Sequence, residues 1–430
     1  MGSVRRMRAK PTRWQRSALP PTPDGVSPEA AGSLSAARPR ADEPLVGDSE
    51  VILGIDLGTT YSTAAALLGG RVHYALDSRG EPCIPSVVHF PKSGPPVVGA
   101  EADKLRATDP ENTVFGVKRL IGRSADSPAA RLLDACSAFR IKAQPGGEAA
   151  VVVRGVERPA SEIGAILLRH LRERAEARFQ RRIGKAVCTV PVTATPAVRD
   201  AMVRCGRMAG LEVVRIVSEP CAGAVARGTD AGAGRPLLVY DFGGGTFDAT
   251  IVQRFGGELR VLASAGDDCL GGDDLDLAFA HYVASAVYQS AKKDVTRDAV
   301  LWDRLQRACE RVKRALSGAQ EARLTVPDAF VSAGREHRID YSVRRQQLQP
   351  VWAELVERSI ETCKQALAEA RLDAGGLGSV LLIGGTSFVS QVRARVAEAF
   401  GLPCVLEDEP QTAVARGAAL LAAHPSLLAA

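Results

Sequence analysis

Long apolar runs are missing from this 430-residue chain: no stretch approaches the roughly 20 residues needed to cross a bilayer, which excludes a helical membrane protein. Paired cysteines are missing too. Nine are present, an odd number, and none stands in a C-x-x-C spacing. That argues for reduced thiols, mostly small core residues, in a cytoplasmic setting. No segment repeats at a solenoid period. The first 48 residues lack any acid before Asp24 and lack the continuous apolar core of a secretory signal. They hold instead Arg5, Arg6, Arg8, Lys10, Arg13 and Arg16, followed by proline, alanine, serine and glycine. Such a segment buries too little apolar area to fold alone, so residues 1–49 are expected to form a disordered basic extension. An Arg-rich, acid-poor start is also compatible with a mitochondrial transit peptide. Much of the net charge of +6 comes from the first sixteen residues, so it is not read as the footprint of a nucleic-acid binder. Neither nucleic acid nor membrane is an expected partner.

The remainder is ordinary for a globular protein, with 46% hydrophobic and 24% charged residues over the whole chain, and is long enough for two or three domains. Its organising stretch is Val51-Ile-Leu-Gly-Ile-Asp-Leu-Gly-Thr-Thr-Tyr-Ser62. The apolar run from Val51 to Ile55 reads as a buried strand. It ends at Asp56, and Gly58 permits a reversal with Thr59 and Thr60 at the tip. The chain then alternates from Tyr61 as a second strand. The two common phosphate loops run from strand to helix, so neither applies. What fits is a β-hairpin whose backbone N–H groups and hydroxyls surround a phosphate. Asp56 is placed to hold a magnesium ion through its waters.

The same order returns in Leu237-Leu-Val-Tyr-Asp-Phe-Gly-Gly-Gly-Thr-Phe-Asp-Ala-Thr-Ile-Val252, with Asp241 closing the strand and Thr246 beginning the return. Consecutive glycines, Gly243 to Gly245, weaken a sheet and signal close approach by a ligand or another backbone. Two such hairpins point to a duplicated α/β unit gripping one phosphate chain from both sides. Elsewhere, Ser161 to Arg178 has helical spacing with Ile163, Ile166, Leu167 and Leu171 on one face. Lys185 to Pro191 and Val213 to Val217 read as strands, with a helix over 197–209 between them. Pro85 to Phe90 reads as one further strand. Glu219 ends the 213–217 strand, where α/β folds build sites, although an acid there also suits a helix N-terminus. The helix from about Arg297 to Ser317 buries Leu301, Leu305, Ala308, Val312 and Leu316. Glu310, Lys313 and Ser317 share another face, which on spacing alone is solvated. Val380–Ile383 is a strand ending at Gly384 and Gly385.

The two hairpins resemble the phosphate loops of the actin, sugar-kinase and seventy-kilodalton heat-shock superfamily. Their wording, Ile-Asp-Leu-Gly-Thr-Thr-Tyr-Ser and Asp-Phe-Gly-Gly-Gly-Thr-Phe-Asp, is similar to that of the Hsp70 (DnaK-type) chaperones within it. The likeness covers about residues 50–423. It implies an α/β chain with the two-lobed actin-like ATPase fold, built from duplicated ribonuclease-H-like domains around a nucleotide cleft. Lobe I would span 50–236 and lobe II 237–425, with a closing helix near 411–423 packing back on lobe I and a tail at 426–430.

The resemblance also implies roles. Gly116-Val-Lys-Arg-Leu-Ile-Gly122 matches the segment carrying the catalytic lysine, which makes Lys118 the group that reaches the γ-phosphate and attacking water. Arg215-Ile-Val-Ser-Glu-Pro220 matches the catalytic-glutamate segment, with Glu219 orienting water. Asp56, Asp241 and Glu219 would order magnesium, and Thr246 would assist attack. Gly58, Thr59, Thr60, Tyr61, Gly243, Gly244 and Gly245 would hold the phosphates. Gly271 and Gly272 would allow further approach to them, while Asp273 and Asp274 read as helix N-terminal acids. Glu310 and Lys313 would reach the ribose, Arg314 and Ser317 the base, and Gly384 and Gly385 the adenosine side.

Departures accompany the match. Phe388 stands where the family has an arginine stacked on adenine, Gln411 replaces an acid near the nucleoside, and Thr193 to Pro196 replaces aromatic and acidic residues that couple the lobes to a partner domain. Arg215 matches an arginine used in docking J-domain helpers. Only thirteen residues follow Gly417, which on the resemblance leaves an ATPase half without the peptide-gripping sandwich and its lid. The implied function is a slow, magnesium-dependent ATPase that switches between ATP and ADP. It would be a monomeric chaperone or co-chaperone, with a J-domain protein and an exchange factor as partners. A sugar or polyol kinase of the same superfamily and a nucleotide-binding scaffold with little catalysis are the alternatives.

Overall fold

The computed structural model describes residues 50–228, 234–332 and 335–429; the extension expected over 1–49 lies outside them. Two sheets carry the architecture, and the elements that build them are numbered in chain order. In the first, β1 (Ile52–Asp56), β2 (Tyr61–Leu68) and β3 (Arg71–Tyr74) form an antiparallel meander. On the other side of β1, β4 (Lys185–Val190) and β5 (Glu212–Ser218) add in parallel, giving the order β3-β2-β1-β4-β5. The second sheet begins with the meander β6 (Leu237–Phe242), β7 (Phe247–Phe255) and β8 (Glu258–Asp267). The strands β9 (Ser379–Ile383) and β10 (Cys404–Leu406) then add in parallel beside β6. Its order is β8-β7-β6-β9-β10. The two orders are the same, so the repetition legible in the hairpins extends to whole sheets.

Every residue of β6 is buried, which is why the central strands read as continuous apolar runs and not as alternating ones. Across the hairpins, Asp56 is opposite Thr63 and Asp241 is opposite Asp248. Each aspartate thus stands at the carboxyl end of a central strand, flanked by a return strand and a parallel neighbour.

Helices α1 (Ala160–Phe179) and α2 (Pro196–Met208) close a core with the first sheet around Leu53, Ile55, Ile163, Leu171 and Met202. The helix α3 (Glu219–Arg227) follows β5 directly. Four further helices, α4 (Gly272–Ala291), α5 (Ala299–Gly318), α6 (Arg345–Glu369) and α7 (Ser390–Phe400), build a second core with the other sheet around Phe242, Phe279 and Trp352. The apolar stripes expected in α1 and α5 are buried as the spacing predicted, except that Ile166 is half-buried.

A third core joins the halves. The closing helix α8 (Ala413–Ala423) packs on β1, β2 and β4 and along α3, which in turn packs on β6 and β7. Alanine and glycine supply seven of the eleven residues of α8 and four of the nine of α3, and the contacts need that. A Cβ added to Gly54 would fall 2.1 Å from the Ala419 nitrogen, and one on Gly417 only 1.7 Å from the Ala222 carbonyl.

The segment expected as one strand from Pro85 to Phe90 divides instead. Ile84–Pro85 pairs with β2, whereas Val88–His89 belongs to a separate three-stranded sheet. The break falls just after Ser86: its N–H still donates to the Thr60 carbonyl at 2.8 Å, but the Val87 N–H folds back onto the Pro85 carbonyl at 2.8 Å, a tight turn that takes the chain out of the first ladder. Among the described residues no helix is long and apolar enough to cross a membrane.

The backbone contacts at α8 set a testable cost. Gly417→Ala is expected to destabilise the protein by about 2–3 kcal/mol, because backbone and not a flexible side chain must yield. Urea unfolding measures it, and a variant as stable as the parent would show that the two helices have room to separate.

Candidate functional site

The two hairpin tips meet in the middle of the molecule. A Cβ on Gly244 would lie 1.9 Å from the Thr60 hydroxyl oxygen, and one on Gly245 would lie 2.4 Å from a Thr59 methyl. The close approach inferred from the glycine run is therefore, in part, the approach of the other tip. The loop before α4 completes the contact. Gly272 and Asp273 donate backbone N–H groups to the carbonyls of Gly243 (3.0 Å) and Gly244 (2.8 Å). The Thr60 hydroxyl donates to Asp273 at 2.9 Å, and the Thr386 hydroxyl to the Gly243 carbonyl at 2.7 Å.

A cavity opens beside these tips, and four acids crowd its floor. Asp56, Glu219 and Asp241 line it, and Asp248 is buried behind them with one carboxylate oxygen unpartnered. A single ammonium answers them: Lys118, carried on a short helical turn over 117–119, donates to Glu219 at 2.6 Å. The Thr189 hydroxyl, from β4, donates to Asp56 at 3.2 Å. Burial raises the pKa of all four acids, and Lys118 only partly opposes it. Glu219 is pushed up to about 7, with Asp56 adding to the effect of burial. Burial pulls Lys118 down, but Glu219 and Asp56 outweigh it and hold the ammonium above its ordinary pKa. The cluster thus holds more carboxyl groups than its own cation can keep ionised.

At the opposite end, α5 faces β2. Arg314 donates to the Tyr61 hydroxyl at 2.8 Å, and that hydroxyl donates to Glu310 at 3.2 Å. Lys313, expected on a solvated stripe from spacing alone, is buried; its ammonium donates to Asp276 at 2.6 Å and to the Gly272 carbonyl at 2.7 Å. Asp276 is pushed up to about 8 by burial, against the pull of Lys313.

Most of the expected residues therefore share one cavity: Asp56, Gly58, Thr59, Thr60, Tyr61, Lys118, Glu219, Asp241, Gly243, Gly244, Thr246, Gly272, Glu310, Lys313, Arg314, Gly384 and Gly385 all line it. Gly245, Gly271, Ser317 and Phe388 do not. Gly245 is packed against Thr59 and Gly271 against the Gly244 carbonyl. The Ser317 hydroxyl turns back to the Lys313 carbonyl at 3.3 Å. Phe388 closes a tight 3-10 turn over 385–388, in which Thr386 is the side chain that reaches the cavity.

Asp273 and Asp274 do more than begin a helix: the first takes the Thr60 hydroxyl, and the second pairs with the buried Arg119 at 2.9 Å. Sequence reasoning missed Arg119, Asp248 and Asp276. The signal for Asp248 was available, since an acid between Phe247 and Ala249 falls where a central return strand is buried. Arg215 lies away from the cavity on β5, where its guanidinium donates to the carbonyls of Pro425 (2.9 Å) and Leu428 (3.4 Å).

The sequence model of the family described as Hsp70 protein matches residues 52–426. The chain therefore belongs to the Hsp70 family, and its fold is the actin-like ATPase fold, two lobes about a central cleft. Members of the family are ATPases that bind ATP and ADP with magnesium and interact with J-domain proteins and exchange factors. Membership separates the chain from the sugar-kinase branch.

The excess of buried carboxylates predicts a pH dependence. Glu219 and Asp276 have folded pKa values of about 7 and 8, above their ordinary ones of 4.5 and 3.8, so between those limits the folded state binds more protons and stability falls as pH rises, levelling off above 8. The melting temperature of the protein without nucleotide or divalent ion should fall between about pH 5 and pH 8. Asp248→Asn should raise it, by about 1 kcal/mol of stability, by removing a buried carboxylate with an unpartnered oxygen. A melting temperature that climbs with pH would mean that the acids are already compensated.

Proposed function

We propose that this Hsp70-family chain binds ATP in the cavity between its two hairpins and hydrolyses it slowly, as the timing step of a chaperone-type conformational switch. The observation that carries the reading is the Lys118–Glu219 pair at 2.6 Å, set among Asp56, Asp241 and Asp248 at the meeting of two threonine- and glycine-built tips. Phosphoryl transfer asks little covalent chemistry of a protein. It asks for positioning and for charge placed where charge develops.

In this reading the N–H groups and hydroxyls of Thr59 and Thr60 hold the phosphate chain from one side. The backbone of Gly243 and Gly244 holds it from the other, with Thr246 at the start of the return strand. Lys118 stabilises charge on the transferring group. Glu219, with a pKa near 7, is poised to accept a proton from the attacking water near neutral pH. Glu310 and Arg314 face the nucleoside end. Lys313, engaged by Asp276 and Gly272, acts on the ribose only if that ion pair is shared.

The donor set fits magnesium. The carboxyl groups of Asp56, Asp241 and Glu219 are hard oxygen ligands whose ionised form a divalent cation would favour. Among the described residues no three His, Cys, Asp or Glu side chains are grouped to grip an ion directly, so water would complete its coordination. When bound, the ion would neutralise phosphate and carboxylate charge.

A J-domain partner at Arg215 would meet a guanidinium already holding the carbonyls of Pro425 and Leu428. Docking there would require it to share or displace that segment.

Single-turnover hydrolysis of ATP with magnesium tests the assignment. Lys118→Ala should slow the chemical step about 10²–10³-fold while nucleotide affinity changes far less. Equal rates for variant and parent would remove Lys118 from catalysis. Tight binding with no turnover in the parent would favour the scaffold reading.

A further inference from the structure

Beside the hairpin tips lies a second, much smaller cavity. It shares Thr59, Lys118 and Thr246 with the first and runs from them to Arg119, Arg123 and Asp268. None of the nucleoside-end residues Glu310, Lys313 and Arg314 lines it, and the rest of its wall is apolar. Its volume is about 10 Å³, room for one water molecule. The three cations come from one short stretch of chain, 118–123.

Two of these cations have donors to spare. Arg119, 4% exposed, gives one nitrogen to Asp274 and the Gly245 carbonyl, but its Nε finds no partner among the described residues. Arg123, 14% exposed, holds Asp268 at 2.8 Å, and its Nε is likewise buried without a partner among them. A buried donor left unpaired costs about 1–3 kcal/mol, so two in the wall of one cavity call for an acceptor. Water can serve at rest, but three cations and two threonine hydroxyls around one space suit an oxyanion. Asp268 closes the outer end, 27% exposed, and also accepts from the Thr193 hydroxyl. Arg123 and Thr193 precede β6 and Asp268 follows β8, so the closure ties one half of the molecule to the other.

We propose that this cavity receives the inorganic phosphate produced by hydrolysis, with Arg123 passing from Asp268 to the phosphate on its way out. The proposal rests on the nucleotide-site reading above. Lys118 is the group assigned there to the transferring phosphoryl, and Arg119 and Arg123 extend its positive charge into the second cavity. Phosphate offers a guanidinium the same paired acceptors as a carboxylate and carries more negative charge, so it can compete with Asp268 where a water cannot. The space of one water does not admit phosphate, so entry requires the wall to widen. Loosening of the two contacts to Asp268 supplies that room, which makes departure of the product and release of a tie between the halves one event.

Calorimetric titration of inorganic phosphate into the full chain, filled with magnesium and either ADP or a non-hydrolysable ATP analogue, tests this. Phosphate should bind the ADP form at least about tenfold more tightly, because Thr59, Lys118 and Thr246 are then free of a γ-phosphate. Arg123→Ala should weaken binding to the ADP form about tenfold, the worth of one charge-assisted hydrogen bond. Arg123→Gln serves if the alanine variant fails to fold. Asp268→Asn should act in the opposite direction, tightening binding about threefold by removing the carboxylate that competes for Arg123. General damage to the cleft would not produce that sign. Equal binding to the two forms, an affinity unmoved by both substitutions, or no phosphate binding to the ADP form overturns the proposal and leaves the nucleotide-site reading standing. Failure to bind ADP or the ATP analogue overturns both.

Discussion

Four carboxyl groups, three of them buried, are crowded around one ammonium, and the rest of the molecule is arranged to tolerate this. Asp56 and Asp241 end the central strands of two sheets, Asp248 lies opposite Asp241 on a return strand, and Glu219 opens a helix directly after β5. Like charges so placed oppose folding unless something else holds the strand ends together. Here that work falls to three apolar cores, one inside each half and one between them. The site is a locally unfavourable feature maintained by distributed packing, as functional sites often are.

Polar ties across the cleft supplement the packing. Besides Thr60 with Asp273 and Arg119 with Asp274, Arg106 pairs with Asp303 and Arg307 with Asp103, each at 2.6 Å. In every case one partner precedes β6 and the other follows it. Arg119 and Asp274 are nearly sealed from solvent, so that pair is the costliest to break. Burial acts against the Arg106 charge, and Asp303 and Asp103 more than restore it.

Much of this was legible in the sequence, for identifiable reasons. The hairpins announce themselves because a central strand must be apolar throughout and because tips in mutual contact require glycine. Helices α1 and α5 follow from spacing. Lys118 does not: a three-residue turn has no periodicity, and a lysine there looks like any surface lysine until a resemblance is invoked. Lys313 was misjudged from spacing because its partner, Asp276, belongs to a different helix and no local pattern couples them. Phe388 was expected beside the base from the resemblance alone; direction in a 3-10 turn changes with each residue, and here Thr386 of the same turn lines the cavity. The two-part division of Pro85 to Phe90 was hidden because a three-residue turn, closed by the Val87 N–H on the Pro85 carbonyl, leaves no trace in the apolar pattern.

The alanine- and glycine-built helices between the sheets carry a mechanical implication. Long interlocking side chains resist relative motion because each must change rotamer before its neighbour can pass. Helices α3 and α8 meet with shallow relief, Gly417 against the Ala222 carbonyl, while Gly223 of α3 leaves room for Ile383 at the end of β9. Such a surface behaves as a plain bearing. It permits small sliding and rolling while forbidding separation, the shear mode of domain closure. Opening and closing of the cleft would then turn on the axis of these two helices, and residues that never approach the nucleotide would set how freely it turns.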